Sequence, residues 1–177
     1  MREIFTPQYS GEYLCAFASL SSALWFINDV DAYKTIFSNM GQSLEQDPFA
    51  LAMALTSTRN LKYTPKMYTY GQSDILQERS PFVTLAQLMA SDGCSLHCVA
   101  TVGNALFDAN ANTILELTQE NLDWCCSTDK ENSKYVGVLR ACRFIHENPR
   151  PLWRTYGIKF DYKKKEEKRK ASKGIDK

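Results

Sequence analysis

From Cys15 onward, apolar residues recur every three or four positions. Phe17, Leu20, Leu24 and Ile27 make one continuous stripe, which predicts a helix that ends near Asn28 and Asp29. Small residues (Ala16, Ala18, Ser19, Ser21, Ser22) fill its other faces and place it inside the domain, where other backbone can approach closely. A short helical turn is expected over 32–37. Asp47-Pro48 predicts a second helix start, with Asp as the N-cap and Pro at the first helical position, and Phe49 to Leu55 as a buried helix. Lys62 to Tyr70 alternates and is rich in aromatics, a strand pattern that Pro65 confines to a sheet edge.

The second half is patterned for a sheet. Pro81 to Met89 is a hydrophobic run read as a strand, with a short helix as the alternative, and Ser91-Asp92-Gly93 reads as a turn. His97 opens a strand through Val102, Gly103-Asn104 makes a tight hairpin turn, and Ala105 to Asp108 returns. Thr118 is placed to cap a helix running through Cys126, with Glu120 and Asp123 early, where the helix dipole favours them. Tyr135 to Ile145 carries Val136, Val138, Arg140, Cys142 and Phe144 on alternate positions, the pattern of a late strand. Beyond Asp161 the run Lys163 to Lys170 contains nothing apolar and reads as a solvated tail. The chain therefore divides into a domain over residues 1–160 and a basic tail over 161–177.

The length of 177 residues suits one domain that needs neither disulfides nor metal for stability. A net charge of +1 argues against a nucleic-acid binder that uses its whole surface, so any such contact falls to the basic tail. The N-terminus lacks the apolar core of a secretory signal, and no apolar run is long enough to span a bilayer. A cytoplasmic or nuclear location is the expectation, with the six cysteines reduced and no membrane partner.

Only two histidines are present, His97 and His146, so histidine-dependent chemistry has two candidates. A thiol nucleophile needs an imidazole beside it and a third group to orient the ring. Cys15 falls at a predicted helix N-terminus, where the dipole and free N–H groups favour a thiolate. His97 and Asp108 lie on the two arms of the predicted hairpin, and its register brings their side chains near each other across the ladder.

The order Cys, His, Asp resembles the papain-like cysteine peptidase superfamily, in particular the bacteriocin-processing peptidases. The residues that carry the resemblance are Gln8, the segment Cys15-Ala16-Phe17-Ala18-Ser19-Leu20, the segment from His97 to Gly103 and the segment Leu106-Phe107-Asp108-Ala109-Asn110. It implies an α+β papain-like fold, in which a central N-terminal helix bearing the Cys packs on an antiparallel sheet bearing the His and Asp. It also implies roles: Gln8 in the oxyanion hole, Cys15 as nucleophile, His97 as general base and acid, Asp108 as orienter. Gln8 lies one residue further from the cysteine than is usual there, and Ala16 stands where that group has Gly.

The expected activity is cysteine-dependent hydrolysis of a peptide or isopeptide bond, with no cofactor and no metal. The partner is then a peptide or protein substrate, a ubiquitin-like tail being one candidate. Acyl transfer on the same scaffold and an inactive protein-binding module are the alternatives. Read singly, each residue has a plainer role: Cys15 as a core thiol, His97 as a structural histidine, Asp108 as a turn residue with Asn110 as a substitute orienter. His146 reads as structural. Cys94, His97, Cys98, Cys125 and Cys126 invite a zinc reading, but their spacing does not suit one, since Cys125 and Cys126 are adjacent on a helix and point apart.

Overall fold

The computed structural model describes residues 14–69, 71–72, 74–93, 97–111, 113–127 and 133–148. Gln8, Tyr70, Cys94 and the basic tail, all singled out in the sequence, lie outside these residues. The described chain is mixed α+β: helices on both faces of one six-stranded sheet whose pairings are all antiparallel.

Three helices come first: α1 (Leu14–Phe26), α2 (Val30–Ser38) and α3 (Pro48–Thr56), with a 3₁₀ turn over Met40–Leu44 between the last two. Burial of α1 goes further than its stripe implies. Ala16, Phe17, Ala18, Ser19, Leu20, Ser21, Ala23 and Leu24 are all fully enclosed. Its serines escape an unsatisfied burial by donating back to the helix carbonyls, as Ser19 does to Cys15 at 2.7 Å and Ser22 to Ala18 at 3.0 Å. Asp29 caps α2 by accepting from the Ala32 N–H. It also accepts the Tyr63 hydroxyl at 2.6 Å, which ties the helical layer to the sheet. Asp47 caps α3 with Pro48 behind it, as the sequence predicts.

The strands are β1 (Tyr63–Thr69), β2 (Val83–Ala90), β3 (Cys98–Val102), β4 (Ala105–Phe107), β5 (Leu115–Glu116) and β6 (Tyr135–His146), in the order β1-β6-β2-β3-β4-β5. The edge position of β1 is what makes Pro65 tolerable, since its missing N–H removes no bond from a second neighbour. A single turn, α4 (Ile75–Glu78), and the helix α5 (Gln119–Cys126) complete the chain. One core lies between the α1 layer and the sheet and takes Leu85, Cys98, Ala100, Phe107, Cys142 and Phe144. The other lies under α5 on the opposite face and takes Ala86, Leu88, Val99, Leu106 and Val138.

The late strand departs from simple alternation. Gln87 pairs with Arg140 but Leu88 pairs with Val138; Met89 pairs with Gly137 but Ala90 with Tyr135. Leu139 and Val136 are thus left over, and both are exposed, at 38% and 55%. Each extra residue switches the faces, so Val138 enters the second core while Cys142 and Phe144 enter the first. Gly137, at φ 150°, supplies the backbone freedom beside the extra residue Val136.

Candidate active site

The hairpin of β3 and β4 positions the histidine and the aspartate. Its turn has positive φ at Gly103 (57°) and not at Asn104, the pattern of a type II′ turn with Gly first. Val102 then pairs with Ala105 and Ala100 with Phe107. Continued one step, the same register sets Asp108 opposite Val99, diagonal to His97. His97 sits one residue before β3, and its carbonyl accepts the Leu88 N–H at 2.9 Å, which anchors the backbone there.

The His97 Nε2 atom lies 2.9 Å from Asp108 Oδ1. The Asp108 side chain is fully buried, while that of His97 keeps 17% exposure. Charge and hydrogen bonding both act across this contact. Asp108 Oδ1 also accepts the Asn110 N–H at 2.9 Å, which fixes the carboxylate within its turn. Asn110, the substitute orienter, is itself exposed.

Cys15 is the second described residue of α1 and is half-buried against the first core. Its thiol is in hydrogen-bond contact with the side chains of both Cys98 and His97, and with the Cys98 backbone. With His97 Nε2 on Asp108, the nitrogen left for Cys15 is Nδ1. The Cys98 hydrogen bond is the strongest influence on the Cys15 thiol; with the charge and hydrogen bond of His97 it overcomes burial and holds the thiol down to about 4.

The two charged partners answer in kind. Burial favours neutral His97, but the Asp108 charge and then the Cys15 thiolate win and raise it well above the ordinary histidine value. Burial likewise opposes ionisation of Asp108, and the charge of His97 outweighs it, so the carboxylate stays below its usual range. All three shifts favour the same state: a thiolate at Cys15, an imidazolium at His97 and a carboxylate at Asp108. The structure thus brings Cys15, His97 and Asp108 together, while Gln8 lies outside the described residues.

Two further thiols belong to the site, and the sequence had offered both only as zinc ligands of unsuitable spacing. The Cys98 side chain touches Cys15 from β3, and that contact, with burial, pushes its own thiol well up. Alternation contained the signal: Cys98 must face opposite to Val99, and hence toward α1. The thiol of Cys125, fully buried on α5, contacts Asp108 from the second core. No local pattern could have announced that contact, because it depends on how α5 packs against the sheet.

Next to Cys98, across the β2 register, is Gln87, whose Oε1 accepts from Arg140 Nε at 2.9 Å. Arg140 also closes a two-pronged pair with Asp47, at 2.7 and 2.9 Å, and lies over the Phe49 ring. His146 is remote from this site: it accepts the Asn148 N–H and meets the Tyr63 ring edge-on. Among the described residues, no group of three His, Cys, Asp or Glu side chains is arranged to hold a metal, and no helix is long and apolar enough to cross a membrane. Compared with known proteins, the chain matches no family model, no curated protein and no solved structure.

Proposed function

We propose that this chain is a papain-like cysteine hydrolase that cleaves a peptide or isopeptide bond through Cys15, His97 and Asp108. The observation that carries the reading is the line from a half-buried thiol at the start of α1, through an imidazole, to a fully buried carboxylate 2.9 Å behind it. A structural thiol would be enclosed in apolar surroundings and held protonated, as Cys142 is, pushed up to about 12 by burial. Cys15 is treated in the opposite way.

In this mechanism the Cys15 thiolate attacks the scissile carbonyl carbon, and charge passes to its oxygen. Backbone N–H groups of the first turn of α1 are the proposed donors to that oxygen, and the family resemblance adds Gln8 to them. The His97 imidazolium gives its proton to the leaving amine, the C–N bond breaks, and an acyl-Cys15 thioester remains. Neutral His97 then takes a proton from water, whose oxygen attacks the thioester and releases the acid and the Cys15 thiolate. Asp108 holds the ring and balances the imidazolium.

The test is alkylation of Cys15 by iodoacetamide across pH, read by mass spectrometry, beside hydrolysis of a peptide library. Selective reaction of Cys15 well below pH ~8.5, where an ordinary thiol ionises, and its loss in His97→Ala, support the pair. A Cys15 no faster than the other cysteines would overturn the reading.

A further inference from the structure

Cys98 has no part in the hydrolytic steps above, yet its thiol touches the nucleophile. The two sulfurs come from different layers of the fold: Cys15 from the first turn of α1, Cys98 from the first residue of β3, the strand on which α1 packs. Both belong to one core, Cys98 at 4% exposure and Cys15 at its rim. Three more described cysteines, Cys125, Cys126 and Cys142, lie elsewhere, and none of the five is in a disulfide.

We propose that Cys15 and Cys98 form a peroxide-responsive modification site, in which oxidation closes a reversible disulfide across the active centre. Thiols sensitive to peroxide are accessible, ionised and backed by a second thiol that resolves the sulfenic acid. Cys15 meets the first two conditions and Cys98 the third. In the first step the Cys15 thiolate attacks one oxygen of a hydroperoxide. The O–O bond breaks, the sulfur is oxidised to Cys15–SOH, and with one proton taken up the peroxide leaves as water or an alcohol. In the second, the Cys98 sulfur attacks the Cys15 sulfur and an S–S bond forms. The sulfenic hydroxyl leaves with the Cys98 proton as water. Burial keeps the oxidant from Cys98, which fixes the order of events. A disulfide needs the sulfurs at about 2.05 Å, a short closure for thiols already in contact.

The disulfide would remove the nucleophile and protect it from irreversible oxidation to sulfinic acid. The proposal rests on the Cys15–Cys98 contact and on the reach of Cys15 to solvent, with no peptide substrate involved, so its failure is distinguishable from that of hydrolysis, which is assayed under reducing conditions.

The experiment treats the full chain with hydrogen peroxide near neutral pH and reads intact mass and tryptic peptides. Expected is a loss of about 2 Da, a peptide linking Cys15 with Cys98, and full reversal by dithiothreitol. Cys15 alkylation falls at least tenfold in the oxidised form and returns on reduction. In Cys98→Ser the linked peptide is absent and Cys15 accumulates as a sulfenic acid that dimedone traps. A link from Cys15 to any other cysteine, or direct passage of wild-type Cys15 to sulfinic acid with no link, overturns the proposal. Circular dichroism of Cys98→Ser establishes that the variant is folded; should it not be, Cys98→Ala takes its place with the same readout.

Discussion

Asp108 meets His97 on the diagonal of the β3–β4 hairpin, Oδ1 to Nε2 at 2.9 Å, with the carboxylate sealed from solvent and the imidazole still reachable. The asymmetry has a chemical consequence. A buried carboxylate stays ionised only while its counter-charge is present, so the imidazolium is favoured in the resting site.

Turnover should follow a bell-shaped pH profile. Activity requires Cys15 ionised and His97 protonated. The lowered thiol moves the acid limb below the ordinary thiol range, and the raised imidazole moves the alkaline limb above about 6.5. The two limbs belong to the coupled pair rather than to either residue. In His97→Ala, the pH dependence of Cys15 alkylation should shift toward the alkaline side, measured by mass spectrometry at a series of pH values.

Asp108→Asn should destabilise the fold in a pH-dependent way. His97 is raised, so its contribution is fully present below the unfolded value near 6.5 and is lost as pH rises through the folded one. Asp108 is lowered, so its contribution is present above about 3.9 and lost as pH falls through its folded value. The pair thus stabilises most between those limits. Urea unfolding should give a difference from wild type of about 3 kcal/mol near pH 5, shrinking toward alkaline pH. A difference that grows with pH would contradict the assigned charges.

Cys98→Ala should weaken the thiolate at Cys15. Removing a hydrogen bond to a charged group is worth about 1.5 kcal/mol, which moves the midpoint of Cys15 ionisation up by about one pH unit. Cys98→Ser keeps a donor and should restore most of the effect. Ultraviolet absorbance of the thiolate, followed against pH, separates the two variants.

Asp29 serves two elements at once, capping α2 and accepting the Tyr63 hydroxyl at 2.6 Å. Asp29→Ala should lose about 2 kcal/mol, half from the cap and half from the tyrosine bond. Tyr63→Phe should lose about 1 kcal/mol, and the double variant little more than Asp29→Ala, because the second change then removes nothing that remains. Strict additivity in chemical denaturation would show that the two groups do not communicate.

Much of this arrangement was readable before folding because it is local. Periodicity located α1, the Asp47-Pro48 and Thr118 signals located two helix starts, and Pro65 marked β1 as an edge. Gly103-Asn104 set the hairpin register, and with it the approach of Asp108 to His97. Such features depend on neighbours a few residues apart, where backbone geometry leaves few choices.

What remained hidden depends on partners far along the chain. The extra residues Leu139 and Val136 in β6 break an alternation that looked continuous, because register there is set by β2 and not by the strand itself. The short elements α4 and β5 carry too little pattern to be seen alone. The sequence by itself determined which residues could do chemistry: one cysteine at a helix start, one histidine and one aspartate on a hairpin. Only the tertiary structure decided how they are tuned. It laid α1 across β3, so that Cys98 touches Cys15, and it packed α5 behind the sheet, so that Cys125 touches Asp108. Burial and opposing charge set those ionisation states, and both come into existence only when the layers close.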